Sequence, residues 1–266
     1  MKKLFNIQMI LIFSFIIKFT FLISALNNDA TFLAADSSHY IKCANTIIEN
    51  GSLIHFEDGL MFPELIRTSG YPIFVAIVYK VFGNYVTFVI ISQIIVSLLS
   101  TYIFYLLIKT FFKGYYVPII GSLVYAFEPI NLALNYYVLS ETIFQVILLF
   151  IMYVGSKIIT GKKSKSHSFL LLGLLCSFAI HIRPIMFYYP FPMMFGLLLY
   201  MYGNKSEFKS IIKDILLFAF PILIIVGGWM FRNHGLVGKF IFSNMTKINL
   251  ISYKAPGILS LKHKIS

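Results

Sequence analysis

The chain has 266 residues, of which 59% are hydrophobic and only 12% are charged, and its mean hydropathy is +0.84. This composition excludes an ordinary soluble domain and predicts a polytopic membrane protein. A net charge of +12 could suit nucleic acid, but the lysines lie in short clusters between apolar segments, which is typical of cytoplasmic loops. We therefore expect no nucleic-acid partner.

Seven apolar segments predict membrane-spanning helices and an all-α fold. The first is too long for the hydrophobic region of a signal peptide and follows Lys2 and Lys3. The spans are predicted at residues 4–26, 85–108, 117–134, 138–159, 169–182, 185–202 and 215–231. The fifth is short, so the fifth and sixth could instead form a broken pair around Arg183-Pro184. Lys18 interrupts the first span, and we favour snorkelling to the interface over a functional role.

The loop between the first two spans, residues 27–84, is rich in acidic side chains. Because eleven lysines fall on the opposite side, we place the N-terminus in the cytoplasm and this loop outside. Ser37 and Ser38 predict the cap of a surface helix that ends at Asn50-Gly51, and the short apolar segment 71–82 predicts a second surface or re-entrant helix. We expect a membrane domain over residues 1–233 and a non-cytoplasmic tail, 234–266, that begins a further C-terminal region.

Charged residues of both signs meet on the outer face under this topology: Asp36, Arg67, Glu141 and Arg183, with Arg232 close by. A carboxylate near an apolar boundary can act as a general base, and arginine can hold a phosphate through paired hydrogen bonds. This combination suits transfer from a lipid phosphate.

Each of these residues has a structural alternative. Asp36 could only favour the start of a helix through its dipole, an alternative that we weigh equally, and capping is the stronger reading for Glu141. Arg183 could anchor at the interface or pair with Glu128 or Glu141. We interpret Arg232 as an interfacial anchor beside Trp229.

Metal binding has weak support in the sequence. Asp36 and His39 are three residues apart with His55 downstream, but no third ligand is spaced convincingly. The two cysteines, Cys43 and Cys176, show neither zinc spacing nor a placement that favours a disulfide. We expect no metal, cofactor or structural disulfide.

Five short motifs together resemble the integral-membrane glycosyltransferases of the GT-C class that use polyprenyl-phosphate sugars. The similarity is to the branch that holds dolichyl-phosphate-mannose protein mannosyltransferases, lipid A aminoarabinose transferases and lipopolysaccharide sugar transferases. The order and spacing carry the resemblance more than any single motif. The motifs are Asp36-Ser-Ser-His-Tyr40, Arg67-Thr-Ser-Gly-Tyr71-Pro72, Val138-Leu-Ser-Glu141-Thr-Ile-Phe144, Arg183-Pro184 and Trp229-Met-Phe-Arg232-Asn233.

The resemblance implies a GT-C fold and an inverting sugar transfer on the non-cytoplasmic face of a plasma or inner membrane. Asp36 would deprotonate the acceptor hydroxyl, and Arg67 would steady the departing lipid phosphate. The other expected substrate-binding residues are Tyr40, Tyr71, Glu141 and Arg183. The implied partners are the polyprenyl-phosphate sugar in the membrane and a glycan, lipid or protein acceptor.

Two alternatives to an active transferase stay open. A flippase or transporter subunit for lipid-linked sugars would also need cationic residues facing a polar cavity, and it would tolerate Asp36→Asn but be sensitive to changes at Lys18 and Arg183. The other alternative is an inactive fragment of such an enzyme.

Overall fold

The computed structural model describes residues 6–26, 29–58, 60–161 and 166–251, and within these ranges the chain is mainly helical. The helices are α1 (Ile7–Ala25), α2 (Ser37–Asn50), α3 (Gly70–Phe82), α4 (Val86–Phe111), α5 (Tyr116–Ala126), α6 (Pro129–Leu134), α7 (Glu141–Thr160), α8 (Ser166–Ile182), α9 (Pro190–Gly203), α10 (Phe208–Val237) and α11 (Met245–Asn249). Two 3₁₀ helices, Asp29–Phe32 and Pro184–Tyr188, and one hairpin of β1 (Ile54–Glu57) and β2 (Leu60–Pro63) complete these elements. Some expectations concern residues outside the described ranges. These residues are Lys2, Lys3, Lys162, Lys163, Lys165 and the tail after residue 251.

The all-α membrane architecture is confirmed. Five helical stretches in the described ranges are long and apolar enough to cross a bilayer: α1, α4, α7, the stretch Pro184–Gly203 and α10. The shorter apolar helices are α3, α5 and α8. The chain is therefore an integral membrane protein.

The predicted span 117–134 is wrong as a single helix. It is broken between α5 and α6, where the Glu128 carboxylate accepts hydrogen bonds from the backbone N–H groups of Ile130 and Asn131. Pro129 occupies the first turn of α6 because a proline there gives up no helical hydrogen bond. The alternative of a broken pair around Arg183-Pro184 is the one observed, with a 3₁₀ turn between α8 and α9.

The segment between α1 and α4 contains the two predicted helices, α2 and α3. Helix α2 ends as expected at Gly51, whose φ of 65° is a left-handed conformation that glycine adopts without strain. The predicted serine caps are wrong, since the helix begins after Asp36 and the buried Ser37 hydroxyl donates to the carbonyl of Val138. The antiparallel hairpin, which pairs Ile54 with Pro63, was not predicted.

The two largest apolar clusters among the described residues hold most of the helices together. The first lies among α1, α2, α3, α4 and the start of α7, around the fully buried Tyr71. The second lies among α7, α8, α9 and α10. Within it α8 and α10 touch so closely that a Cβ at Gly173 would clash with the carbonyl oxygen of Phe218.

The snorkelling interpretation of Lys18 is wrong. Its side chain is buried, and its Nζ donates a 2.8 Å hydrogen bond to the Ser97 hydroxyl on α4. The Tyr136 hydroxyl also bonds to the Lys18 carbonyl. The lysine therefore joins α1 to its neighbours instead of reaching the membrane surface.

Candidate active site

A cavity of about 550 Å³ opens at the end of the bundle where α2 and α7 begin and α8 ends. Five of the residues predicted for the site line it: Asp36, Tyr40, Arg67, Glu141 and Arg183. They come from separate parts of the chain, and the fold brings them to one wall. The cavity thus combines two carboxylates with two guanidinium groups.

Asp36 and Arg67 form the first ion pair of the cavity. Arg67 donates from Nη2 to Asp36 Oδ1 at 2.6 Å, and the Asp36 side chain is 51% exposed whereas that of Arg67 is only 10% exposed. Asp36 makes no side-chain capping bond to α2, so its carboxylate is held by the arginine and not by the helix start. The half-exposed carboxylate faces a space that a substrate hydroxyl could enter.

Three further contacts fix the Arg67 side chain. Its Nη1 donates to the Tyr40 hydroxyl at 3.4 Å, its Nε donates to His39 Nδ1 at 3.5 Å, and its guanidinium lies 4.7 Å from the centre of the Tyr40 ring. Burial by itself lowers the pKa of Arg67, but Tyr40 and Asp36 outweigh it and raise the pKa above its ordinary value. Arg67 is a fixed positive charge.

Glu64 holds the backbone that carries Arg67. Its Oε1 accepts the N–H groups of Ile66 at 2.6 Å and Arg67 at 2.8 Å, and its Oε2 accepts the His39 Nε2–H at 2.7 Å. Burial raises the pKa of Glu64, but these hydrogen bonds, with that of His39 foremost, lower it to about 2. The sequence interpretation did not select Glu64, because its partners are known only once the loop is folded.

Arg183 and Glu141 form the second ion pair, with 3.1 Å between Nη1 and Oε1. Arg183 has an extended backbone (φ −138°, ψ 116°) at the end of α8, as expected for the residue before Pro184, and this places its side chain over the Phe144 ring. Of the two partners considered, Glu141 is the observed one, since Glu128 caps α6 instead.

Tyr71 does not line the cavity. It is fully buried, its hydroxyl donates to Gln93 Oε1 at 2.6 Å, and its ring packs edge-on against Tyr40 at 4.8 Å. It cannot contact a ligand in this conformation, so the expected binding role is corrected to a support for the Tyr40 ring.

Arg232 does more than anchor beside Trp229, whose ring centre lies 4.6 Å away. Its Nη2 donates to the carbonyl of Leu53 at 2.7 Å and its Nη1 to the carbonyl of Glu64 at 3.3 Å. The C-terminal end of α10 is thereby tied to both ends of the hairpin. These two hydrogen bonds hold the loop that precedes Arg67.

Both cysteines are free and buried. Burial and the neighbouring Glu64 carboxylate raise the pKa of the Cys43 thiol to about 12, with Sγ 3.6 Å from Glu64 Oε2. Among the described residues, His39, Cys43 and Glu64 form a group whose ligand atoms lie within 4.8 Å of one another, which is close enough to hold a metal ion.

Comparison with known proteins gives one family match. The model of the family described as dolichyl-phosphate-mannose-protein mannosyltransferase matches residues 68–229, more than half of the chain. This region includes Glu141 and Arg183 and begins one residue after Arg67. No curated protein and no solved structure matches. The chain thus belongs to the dolichyl-phosphate-mannose-protein mannosyltransferase family, a family of GT-C membrane glycosyltransferases.

Proposed function

We propose that this protein transfers a sugar from a polyprenyl-phosphate donor to a hydroxyl group of a glycan, lipid or protein acceptor. The proposal rests on one observation: two ion pairs line the same cavity of about 550 Å³. They are Asp36 with Arg67 and Glu141 with Arg183. The cavity supplies a carboxylate for a proton and two cations for a phosphate, which are the groups that this reaction needs.

In the proposed reaction the Asp36 carboxylate accepts the proton of the acceptor hydroxyl. The acceptor oxygen then attacks the anomeric carbon from the face opposite the phosphate, so the configuration is inverted. The bond from the anomeric carbon to the phosphate oxygen breaks, and its electron pair leaves with the lipid phosphate. Because phosphate leaves readily, the reaction needs no second acid of the kind that glycosidases use.

Arg67 and Arg183 are the proposed phosphate clamp. Each guanidinium is neutralised by a carboxylate, Asp36 or Glu141. A donor phosphate would compete for both cations, and its binding to Arg67 would release Asp36 to act as a base. Neither a metal nor a cofactor has a step in this scheme, since the two guanidinium groups offset the charge that develops on the phosphate.

We also propose that the cavity faces the non-cytoplasmic side. The described lysines Lys109 and Lys157 lie at the ends of α4 and α7 that are remote from the cavity, whereas Asp36 and Glu141 lie at its mouth. Positive charge gathers on cytoplasmic loops, so this distribution supports an N-terminus in the cytoplasm and an outward-facing site.

Lipid-linked glycan mass spectrometry of membranes with and without the protein tests the proposal, because it measures the donor and identifies its sugar. With Asp36→Asn the donor should accumulate as it does without the protein, while insertion and abundance stay normal. Asp58→Asn is the matched control, since Asp58 is an exposed acid in the same loop and asparagine tolerates its φ of 51°. Normal donor consumption by Asp36→Asn would refute the mechanism.

Lys18 distinguishes the transferase from a transporter of lipid-linked sugars. A transporter would use the intramembrane charge, but the Lys18 ammonium is bonded to Ser97, and Lys18 is not part of the cavity wall. In a transferase, Lys18→Met should leave sugar transfer intact. Loss of donor consumption in Lys18→Met, with Asp36→Asn still active, would favour the transporter.

A further inference from the structure

A second, small cavity of about 50 Å³ lies between α2 and the hairpin β1–β2. Its walls carry four side chains that bind metals through nitrogen, sulfur or oxygen: His39, Cys43, His55 and Glu64. His39 and Cys43 are four residues apart on α2 and so share one face of that helix. His55 comes from β1, and Glu64 directly follows β2.

Three of these side chains already converge. His39 Nε2 lies 2.7 Å and Cys43 Sγ lies 3.6 Å from Glu64 Oε2, and all three ligand atoms lie within 4.8 Å of one another. Zinc bonds of about 2.0–2.3 Å separate tetrahedral ligand atoms by roughly 3.3–3.8 Å. The three atoms therefore reach a zinc geometry with side-chain shifts of about 1 Å or less.

We propose that His39, Cys43, Glu64 and His55 form a structural Zn²⁺ site that joins α2 to the hairpin. One thiolate, two imidazoles and one carboxylate make a mixed set of the kind that zinc accepts in tetrahedral geometry and that Mg²⁺ or Ca²⁺ does not favour. The thiolate and the carboxylate supply two negative charges, which balance the ion despite Lys42 on the same wall. The Cys43 thiol gives its proton to solvent when the metal binds.

The hairpin explains why a metal would be useful here. It is a sheet of only two short strands, and such hairpins are marginally stable in water. Leu60 and Met61 of β2 are exposed, so apolar packing contributes little to holding it. A zinc ion would be bound by one residue before the turn, by one residue after it and by two residues of α2. It would thereby fix the hairpin to the helix.

Zinc at His39 Nε2 would also change the neighbouring hydrogen bonds. The bond from His39 to Glu64 would be replaced by two bonds to the metal, and the imidazole proton would move to Nδ1. Arg67 Nε would then lose its 3.5 Å bond to Nδ1, while the Arg67 contacts with Asp36 and Tyr40 would stay. The zinc takes no part in sugar transfer, so this proposal stands independently of the proposed function.

The experiment uses the full chain in detergent, purified through a tag without histidine, stripped with a chelator and titrated with Co²⁺ and then Zn²⁺. We expect one metal per chain and a near-ultraviolet charge-transfer band from the Cys43 thiolate to Co²⁺. Cys43→Ser should abolish this band, and the matched control Cys176→Ser should keep it. His55→Asn should lower the zinc affinity by at least the 10–100-fold that loss of an outer-shell partner costs.

X-ray absorption of the zinc-loaded wild type needs no variant and guards against misfolding of Cys43→Ser. We expect one sulfur neighbour at about 2.3 Å. Any one of three results would overturn the proposal. They are a metal without a sulfur neighbour, a charge-transfer band that survives in Cys43→Ser, and wild-type protein that retains no zinc. In the last case the hydrogen bond between His39 and Glu64 would be the whole role of this cluster.

Discussion

Replacement of Gly173 by alanine should loosen the contact between α8 and α10. The added Cβ would clash with the carbonyl oxygen of Phe218 and would lie 2.8 Å from Pro221 Cγ. Both obstacles are fixed, because one is helical backbone and the other is a proline ring. The two helices would have to part by about 1 Å to restore an ordinary contact.

The expected cost follows from this displacement. Overpacking of a well-packed core costs about 1–3 kcal/mol, whereas the better helix propensity of alanine returns at most about 1 kcal/mol. The thermal unfolding midpoint in detergent should therefore fall, by a few degrees for each kcal/mol lost. Gly196→Ala is the matched control, since Gly196 is a helical glycine of α9 whose added Cβ would meet nothing within 4 Å.

The midpoint of Gly196→Ala should stay level or rise. If Gly173→Ala is as stable as Gly196→Ala, then α8 and α10 are not packed as described. The packing of α8 against α10 would then not explain how Arg183, at the end of α8, is held in place.

Three further substitutions test separate contacts. Tyr71→Phe leaves the buried side-chain oxygen of Gln93 without its 2.6 Å donor. The free energy of unfolding, measured in detergent, should therefore fall by about 1–3 kcal/mol, and an unchanged value would contradict the role given to Tyr71. Arg183→Lys keeps the charge but loses the planar donor pair, so sugar transfer should fall about 10-fold or more while Arg183→Met falls further; equal activity of lysine and arginine would exclude a forked phosphate contact. Glu128→Ala removes the cap of α6 and should cost about 1 kcal/mol of stability, and no loss would show that the cap is dispensable.

The overall architecture could be predicted from the sequence because the membrane imposes a simple rule. Helices must satisfy their own backbone hydrogen bonds in lipid, so long apolar segments predicted the spans. Asp36 and Arg183, which line the cavity, could be selected because charges are rare in this chain. What these residues contact depends on the fold, so Asp36 could not be distinguished from a helix-capping acid by pattern alone.

The remaining features depend on contacts between distant segments. Lys18 was misjudged because its partner, Ser97, lies 79 residues away. Glu64 and Cys43 were not grouped because the hairpin that brings Glu64 back to α2 was not predicted, although Asp58-Gly59 between its strands is a typical hairpin turn pair. The break before α6 did have a local signal, since Glu128-Pro129 combines a capping acid with a proline suited to the first helical turn.

The hydrogen bond from Arg232 to the Glu64 carbonyl also bears on how the protein is made. The two residues are 168 positions apart, and at roughly 5–20 residues per second a ribosome needs about 10–35 s to synthesise the intervening chain. During that interval the segment that contains the hairpin has been synthesised but lacks the helix that holds it. The hairpin is thus left without one of its supports until α10 is inserted, and a membrane chaperone that covers it during this interval would raise the yield of folded protein.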